Sequence, residues 1–416
     1  MIGSKTFSNR IMLVLAWFPI LNIYSTPFVF SWGEFLFLLL MVWSFFNGDK
    51  ALLSFPRKYI ILWAYVAITY IVLSLSNLRL GVLIPGGFSF CLYSVILGFV
   101  IAHFDLNSFK RYYRAVFIVA FVILIFQEFT ANIMGYRFSA LLPFGTLTDG
   151  QPISDLINEQ LNPRTNRSCS LFREPAHMAQ YVIPLLAMEL CGDKKKRLVS
   201  PMAFAIIASL LLLRSGNGFL GMIVILLVRL IHYVLKENVK HKFLILATTA
   251  VVAGSAITYY LSTEMGGSVA ERSVEIENDE DAGSYIRIFR GYRLYEEMPL
   301  TNKLIGATQN DLISIIPKTS VSFLFKGELQ YDLYFNGLQA ILLFNGLIGL
   351  LLFILVYVGI YKKTTIAGKA SILALLAISF VGATYLSYFM LFVTFIAESE
   401  NRRVYGEDRI LHKATV

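Results

Sequence analysis

Charge is scarce in this sequence. Asp, Glu, Lys and Arg make up only 15% of its 416 residues, against roughly one quarter in soluble domains, which excludes a water-soluble globular fold. Cysteine is nearly missing as well. Cys91, Cys169 and Cys191 form no CxxC pair, so a disulfide framework and a cysteine zinc site are both excluded. There is no HExxH, no nucleophile elbow and no P-loop, which leaves zinc proteolysis, serine hydrolysis and Walker-type nucleotide hydrolysis without their residues. Internal repeats and composition breaks are also lacking, so residues 1–416 read as a single integral membrane domain.

What is present is apolar. Hydrophobic residues account for 56% and aromatics for 14%, with a mean hydropathy of +0.65. The expected fold class is therefore all-α and polytopic, since a helix needs about 20 apolar residues to cross the hydrocarbon. About twelve spans are expected, near 11–28, 30–47, 59–77, 83–104, 113–130, 177–192, 198–213, 218–235, 243–261, 337–361, 370–384 and 385–397. The last two merge into one long tilted helix unless 382–387 breaks it. Lys5 and Arg10 precede an apolar stretch that no small-residue cleavage site follows, so the first span is expected to be an uncleaved anchor.

The net charge of +9 does not indicate nucleic acid, because the basic residues fall in short clusters between apolar runs. Clusters such as Lys50/Arg57/Lys58, Lys110/Arg111/Arg114, Lys194/Lys195/Lys196/Arg197 and Lys362/Lys363/Lys369 sit on alternate connections. The positive-inside rule then puts both termini in the cytoplasm. The two long connections, 131–176 and 262–336, fall outside, and function is expected there. The spans carry no ionisable residue near a midplane: Glu34, Gln127, Glu128, Glu189 and Arg229 lie toward span ends. A proton- or ion-coupled pump needs such groups inside its pathway, so this class is disfavoured.

The first outer loop ends in SCSLFREPAH over residues 168–177. Pro175 suits the first turn of a helix, which places Glu174 beside its positive end and His177 less than a turn further on. Glu174 is the preferred general base, because a carboxylate partly withdrawn from water has a raised pKa; the adjacent Arg173 opposes this and keeps His177 as the second candidate. A structural cap and an interface contact are the alternative roles. Outside basic residues are mostly arginine, including Arg167, Arg173, Arg214, Arg287, Arg290 and Arg293. Arginine's planar fork matches phosphate, so an anionic ligand, a diphosphate, is expected at this face.

In the second loop, residues 284–299 read as a helix capped by Ser284 and stopped by Pro299, with Arg287, Arg290 and Arg293 along one side. They form either a diphosphate clamp or a solvated basic face paired with Glu296 and Glu297. RSGNGFLG over 214–221 contains a literal GxGxxG, but it follows an apolar span rather than a strand, so a dinucleotide fold is not indicated. It reads as a tight turn opening a span, able to hold one phosphate or to let helices pack closely. Asp279 and Asp281 lie in an acidic run that is read as hydrated rather than as a metal site. No metal and no cofactor is expected.

At these motifs the chain resembles the bacterial O-antigen and capsule repeat-unit polymerases, with the O-antigen ligases further off. The resemblance rests on R-x-x-S-x-F-x-E-P-x-H from Arg167 to His177, on the Arg-Ser-Gly turn at Arg214, on the outer loop holding Tyr285 to Arg293 and Pro299, and on NGLIG over 345–349. It implies a lipid-donor glycosyltransferase of GT-C type in the bacterial inner membrane, active on the outer face in lipopolysaccharide, capsule or exopolysaccharide synthesis. Such an enzyme moves a growing glycan from undecaprenyl diphosphate to an incoming lipid-linked repeat unit without a metal, beside a flippase and a chain-length regulator. Carried onto this sequence, Arg287 and Arg290, helped by Arg293 or Arg214, hold the diphosphate, with Arg167 and Arg173 nearby. Tyr285, Tyr292 and Tyr331 suit sugar stacking. The competing readings are an O-antigen ligase, or a flippase or exporter of lipid-linked oligosaccharide.

Overall fold

The computed structural model describes residues 2–27, 30–47, 53–54, 57–76, 88–142, 146–148, 152–161, 167–192, 200–236, 283–325 and 333–399. Among them regular structure is entirely helical, with isolated β-bridges only. The long helices are α1 (Ile2–Leu21), α2 (Trp32–Phe46), α3 (Arg57–Ser76), α4 (Phe88–His103) and α5 (Leu106–Phe129). After the short α6 (Ile153–Leu161) come α7 (Pro175–Cys191), α8 (Pro201–Leu213) and α9 (Gly216–Lys236). The second loop folds as α10 (Gly283–Glu297), α11 (Leu300–Ile305) and α12 (Gln309–Ile315), followed by α13 (Gly337–Tyr361), α14 (Ile366–Ile378) and α15 (Tyr388–Ser399).

Helices thus occupy eleven of the expected spans, while the one near 243–261 lies outside the described residues. Residues 371–397 are two helices, broken between Ile378 and Tyr388 where Leu386 takes φ 52°. The helix expected to start at Ser284 begins at Gly283. Three helices, Leu106–Met134, Gly216–Val234 and Gly337–Tyr361, are long and apolar enough to cross a membrane by themselves. Large apolar side chains stand exposed along the bundle, Phe46 at 80% and Phe204 at 68%, which suits a lipid rather than a water boundary.

Helix α7 is the central post. Its residues are buried without a break from Met178 to Met188, as a helix apolar on every side must be. It packs against α8, α9 and α14. The contact with α9 is close because Gly218 and Gly221 face it: a Cβ on Gly221 would stand 2.3 Å from Ile183 Cδ1. The glycine-rich 214–221 stretch therefore has a packing role.

Helix α5 is pinned at both ends. Arg114 grips Glu189 of α7 with Nε and Nη2, each at 2.7 Å, and Lys110 adds a contact at 3.3 Å. Fourteen residues on, about 21 Å along the axis, Glu128 meets Arg214 at the opposite end of the bundle. The second loop is seated through α13, which is kinked at Gly346 (φ 67°). There the 304–307 turn inserts, and Ala307 N–H donates to Leu343 O at 2.8 Å.

Candidate functional site

The first group of interest assembles where α5, the 167–177 segment and the α8–α9 turn meet. Gln127 organises it. Its Oε1 accepts from the N–H groups of Cys169 at 3.2 Å and Ser170 at 2.7 Å, and its Nε2 donates to Ser170 O at 3.2 Å. Ser170 sits in the left-handed region (φ 58°) and donates its hydroxyl to Ala120 O at 2.6 Å. This tight, buried turn fixes the backbone on either side of it, so Arg167 and Arg173 leave it from set positions.

Three arginines gather here, and Arg214 among them pairs with a carboxylate. Arg167 donates to the backbone carbonyl of Arg214. Arg214, itself left-handed at φ 48° as the C-cap of α8, places Nη2 3.4 Å from Glu128 Oε2. Arg137, buried, donates from Nε to Ser168 Oγ at 3.1 Å. Burial lowers the Arg137 pKa, Glu128 counters this, and the like charge of Arg214 adds to the lowering. Glu128 Oε1 and Arg214 Nε are buried and have no hydrogen-bond partner among the described residues. More guanidinium groups than carboxylates, with the Arg214 Nε donor unused among the described residues, is an electrostatic setting that an oxyanion completes. Cys169, within this group, is not a nucleophile: burial pushes its thiol up to about 12, against the opposing effect of Arg137.

The same segment leads into a cavity of about 260 Å³. Arg173 and His177 line it together with Asn22 from the end of α1, Glu34 from α2, Tyr93 from α4, and Ser387 and Tyr388 at the start of α15. Pro175 occupies the first turn of α7, as its chemistry predicts. Glu174 is the N-cap by backbone conformation, yet its side chain makes no capping hydrogen bond and is exposed. Its carboxylate acts electrostatically on His177, Cys169 and Tyr388. The Tyr388 hydroxyl donates to His177 O at 2.5 Å, and the two rings stand edge to face at 6.5 Å. Of the two candidate bases, His177 lines the cavity and Glu174 stands outside its lining.

The second loop contributes differently. Arg290 is buried, with its guanidinium 5.0 Å from the Phe325 ring and 5.7 Å from that of Phe335, and it donates to Tyr334 O. It serves the small core formed by Leu294, Met298, Leu324, Phe335 and Leu343. Arg293 is half-buried, as is Tyr292, whose hydroxyl is enclosed without a partner among the described residues. The side chains of Arg287 and Tyr285, and all of Tyr331, Asp279 and Asp281, lie outside the described residues. Glu297 accepts from Ser320 N at 2.7 Å and from its hydroxyl, and this holds its carboxyl below the ordinary value.

A backbone relay brings this loop to the same end of the bundle. Beyond Tyr334, Asn336 caps α13 and donates to Phe380 O at 2.8 Å, and Gly337 N–H donates to Gly382 O at 2.8 Å. Gly382 in turn abuts Asn217 in the first turn of α9, three residues from Arg214.

Several of these residues escape a reading of the sequence. Glu128 and Gln127 register there only as polar exceptions at a span end. Asn22, Tyr93 and Tyr388 carry no local signal, Arg137 shows only as one of the arginines enriched on the expected outer connections, and Glu34 shows only as a carboxylate early in a span. Among the described residues no group of three or more His, Cys, Asp and Glu side chains is placed to hold a metal.

Comparison with known protein families matches residues 28–290 to the model of the WcaD colanic acid polymerase family. No curated protein matches the chain.

Proposed function

The chain belongs to the WcaD colanic acid polymerase family, and from this membership we propose the reaction it performs and the residues that carry it. The family makes it a glycosyltransferase-type membrane polymerase of polysaccharide repeat units, working on lipid-linked oligosaccharides. In our reading the donor is a growing glycan on undecaprenyl diphosphate. The acceptor is the sugar at the non-reducing end of an incoming lipid-linked repeat unit. The site faces the outside of a bacterial inner membrane and both termini are cytoplasmic.

The acceptor hydroxyl attacks the anomeric carbon of the donor chain, the carbon–oxygen bond to diphosphate breaks, and undecaprenyl diphosphate leaves with the electron pair. The barrier comes from negative charge growing on the leaving oxygen and from the proton on the attacking hydroxyl. Arg137, Arg167 and Arg214, joined by Arg287 and Arg293 of the second loop, neutralise the diphosphate without a metal. Arg290 holds that loop in place. His177 takes the acceptor proton, and Glu174 steadies the imidazolium that results.

The observation that carries this reading is the gathering of Arg137, Arg167 and Arg214, with Arg214 paired to Glu128, next to a cavity lined by His177, at one end of an apolar bundle. Arg167 and Arg173 are six positions apart, so their Cα atoms lie within about 22 Å of each other. The test is to incubate the purified full-length protein with lipid-linked repeat units. A ladder of longer products with release of undecaprenyl diphosphate is expected. Transfer to a lipid A core without a ladder would indicate a ligase, and movement across vesicles without elongation would indicate a flippase.

A further inference from the structure

The cavity beside His177 carries hydrogen-bonding atoms that the fold itself does not use. Glu34 is the third residue of α2 and closes a capping box with Ser31: its Oε2 accepts from Ser31 N–H at 2.8 Å and from the Ser31 hydroxyl at 3.0 Å. Its Oε1 has no hydrogen-bond partner among the described residues. Asn22 resembles it, with Oδ1 accepting from the Ser31 hydroxyl while its amide nitrogen donates to none of them. The imidazole of His177 makes no hydrogen bond among them either; only its backbone is engaged. These groups come from α1, α2 and α7, and around them stand the rings of Phe18, Tyr93, Phe172 and Tyr388.

An anionic ligand does not fit this lining. Arg173 brings one cation to the lining but Glu34 offsets it, whereas Arg137, Arg167 and Arg214 gather outside the lining. Free acceptor and donor edges between aromatic faces match a ligand that offers hydroxyl groups around an apolar ring face, which is a sugar. We infer that this cavity seats the terminal sugar of the acceptor repeat unit, with Glu34 and Asn22 as positioning residues that hold its hydroxyls and turn one of them toward His177. The assignment rests on the polymerase reading and adds the acceptor subsite to it. It also separates two functions along one segment: the Arg167 end serves the diphosphate and the His177 end serves the sugar.

The test uses full-length protein in nanodiscs and two probes, the free repeat-unit oligosaccharide released from its lipid by mild acid, and farnesyl diphosphate. Glu34→Gln keeps a carbonyl oxygen for the capping box and removes the charge. Asn22→Asp keeps Oδ1 for Ser31 and replaces the donor edge with an acceptor. Each is expected to weaken oligosaccharide binding, read by saturation-transfer NMR, by about tenfold. Each should raise the KM for the acceptor by a similar factor, leave kcat within about threefold, and leave farnesyl diphosphate affinity unchanged. Oligosaccharide binding and acceptor KM both equal to wild type in the two variants would overturn the subsite, as would displacement of the oligosaccharide by farnesyl diphosphate alone. A wild type that binds the oligosaccharide in a manner dependent on Glu34 and Asn22 but never elongates would uphold the subsite and sink the polymerase reading. Elongation indifferent to both residues would do the reverse.

Discussion

Arg214→Gly separates the stability of the site from its chemistry. Arg214 adopts φ 48°, a conformation that costs a side-chain-bearing residue about 1–2 kcal/mol and glycine almost nothing. Glycine therefore returns on the order of 1 kcal/mol to the folded state. Against this stands the ion pair with Glu128, 3.4 Å long, with side chains 24% and 10% exposed. A partly exposed pair contributes about 1 kcal/mol, and leaving the more buried Glu128 unpartnered adds about 1–3 kcal/mol. The single variant should thus be less stable by on the order of 1–3 kcal/mol.

Adding Glu128→Gln to Arg214→Gly removes the stranded carboxylate and should bring the thermal midpoint back to within a few degrees of wild type. Activity should not come back. Loss of one charge-stabilising donor at a departing anion lowers kcat by about 10²–10³, so both variants should give ladders that slow by that factor. The assays are thermal unfolding in detergent and single-turnover elongation with quantified undecaprenyl diphosphate. If the double variant regains elongation together with its midpoint, Arg214 acts only through stability and the diphosphate assignment fails.

His177→Gln should lower kcat by about 10²–10⁴ with acceptor KM and diphosphate binding unchanged, measured in the same elongation assay; a wild-type rate would return the base role to Glu174. Gly346→Ala forces a Cβ to within 2.3 Å of the Leu304 carbonyl oxygen at φ 67°, and backbone cannot give way there as a side-chain tip can. It should cost at least about 1–3 kcal/mol, seen as a lowered unfolding midpoint and faster hydrogen exchange in the 304–307 turn. Glu297 is held below its ordinary value by Ser320, so its contribution is full above the unfolded pKa and is lost as pH falls through the lower folded value. The protection factor of Ser320 N–H, its exchange rate taken relative to the intrinsic rate at each pH, should therefore fall below about pH 4 in the wild type and stay constant there in Glu297→Gln.

How much of this was legible beforehand varies with the kind of residue. Pro175 announced the first turn of α7, and the apolar runs announced the helices, because both are local: a missing N–H and a run of lipid-compatible side chains act within a few residues. The placement of Arg173 and His177 close together was legible for the same reason, being one short string, and both line one cavity. Arg290 shows where this ends. Its spacing with Arg287 and Arg293 suggested a common ligand-binding face, but its guanidinium packs onto Phe325 and Phe335, which lie 35 and 45 residues further along the chain and leave no mark on the local pattern.

Hydropathy was enough to specify a helical membrane chain, since a bilayer forces every backbone polar group into an internal hydrogen bond. It could not specify which arginine is ligand and which is scaffold. The contacts that bear on that distinction are long-range: Glu128 reaching Arg214, Arg137 reaching Ser168, and Asn22 with Glu34 opening onto the cavity beside His177. A charge's partners are set by Coulomb distance in space, and the fold, not the order of residues, sets that distance.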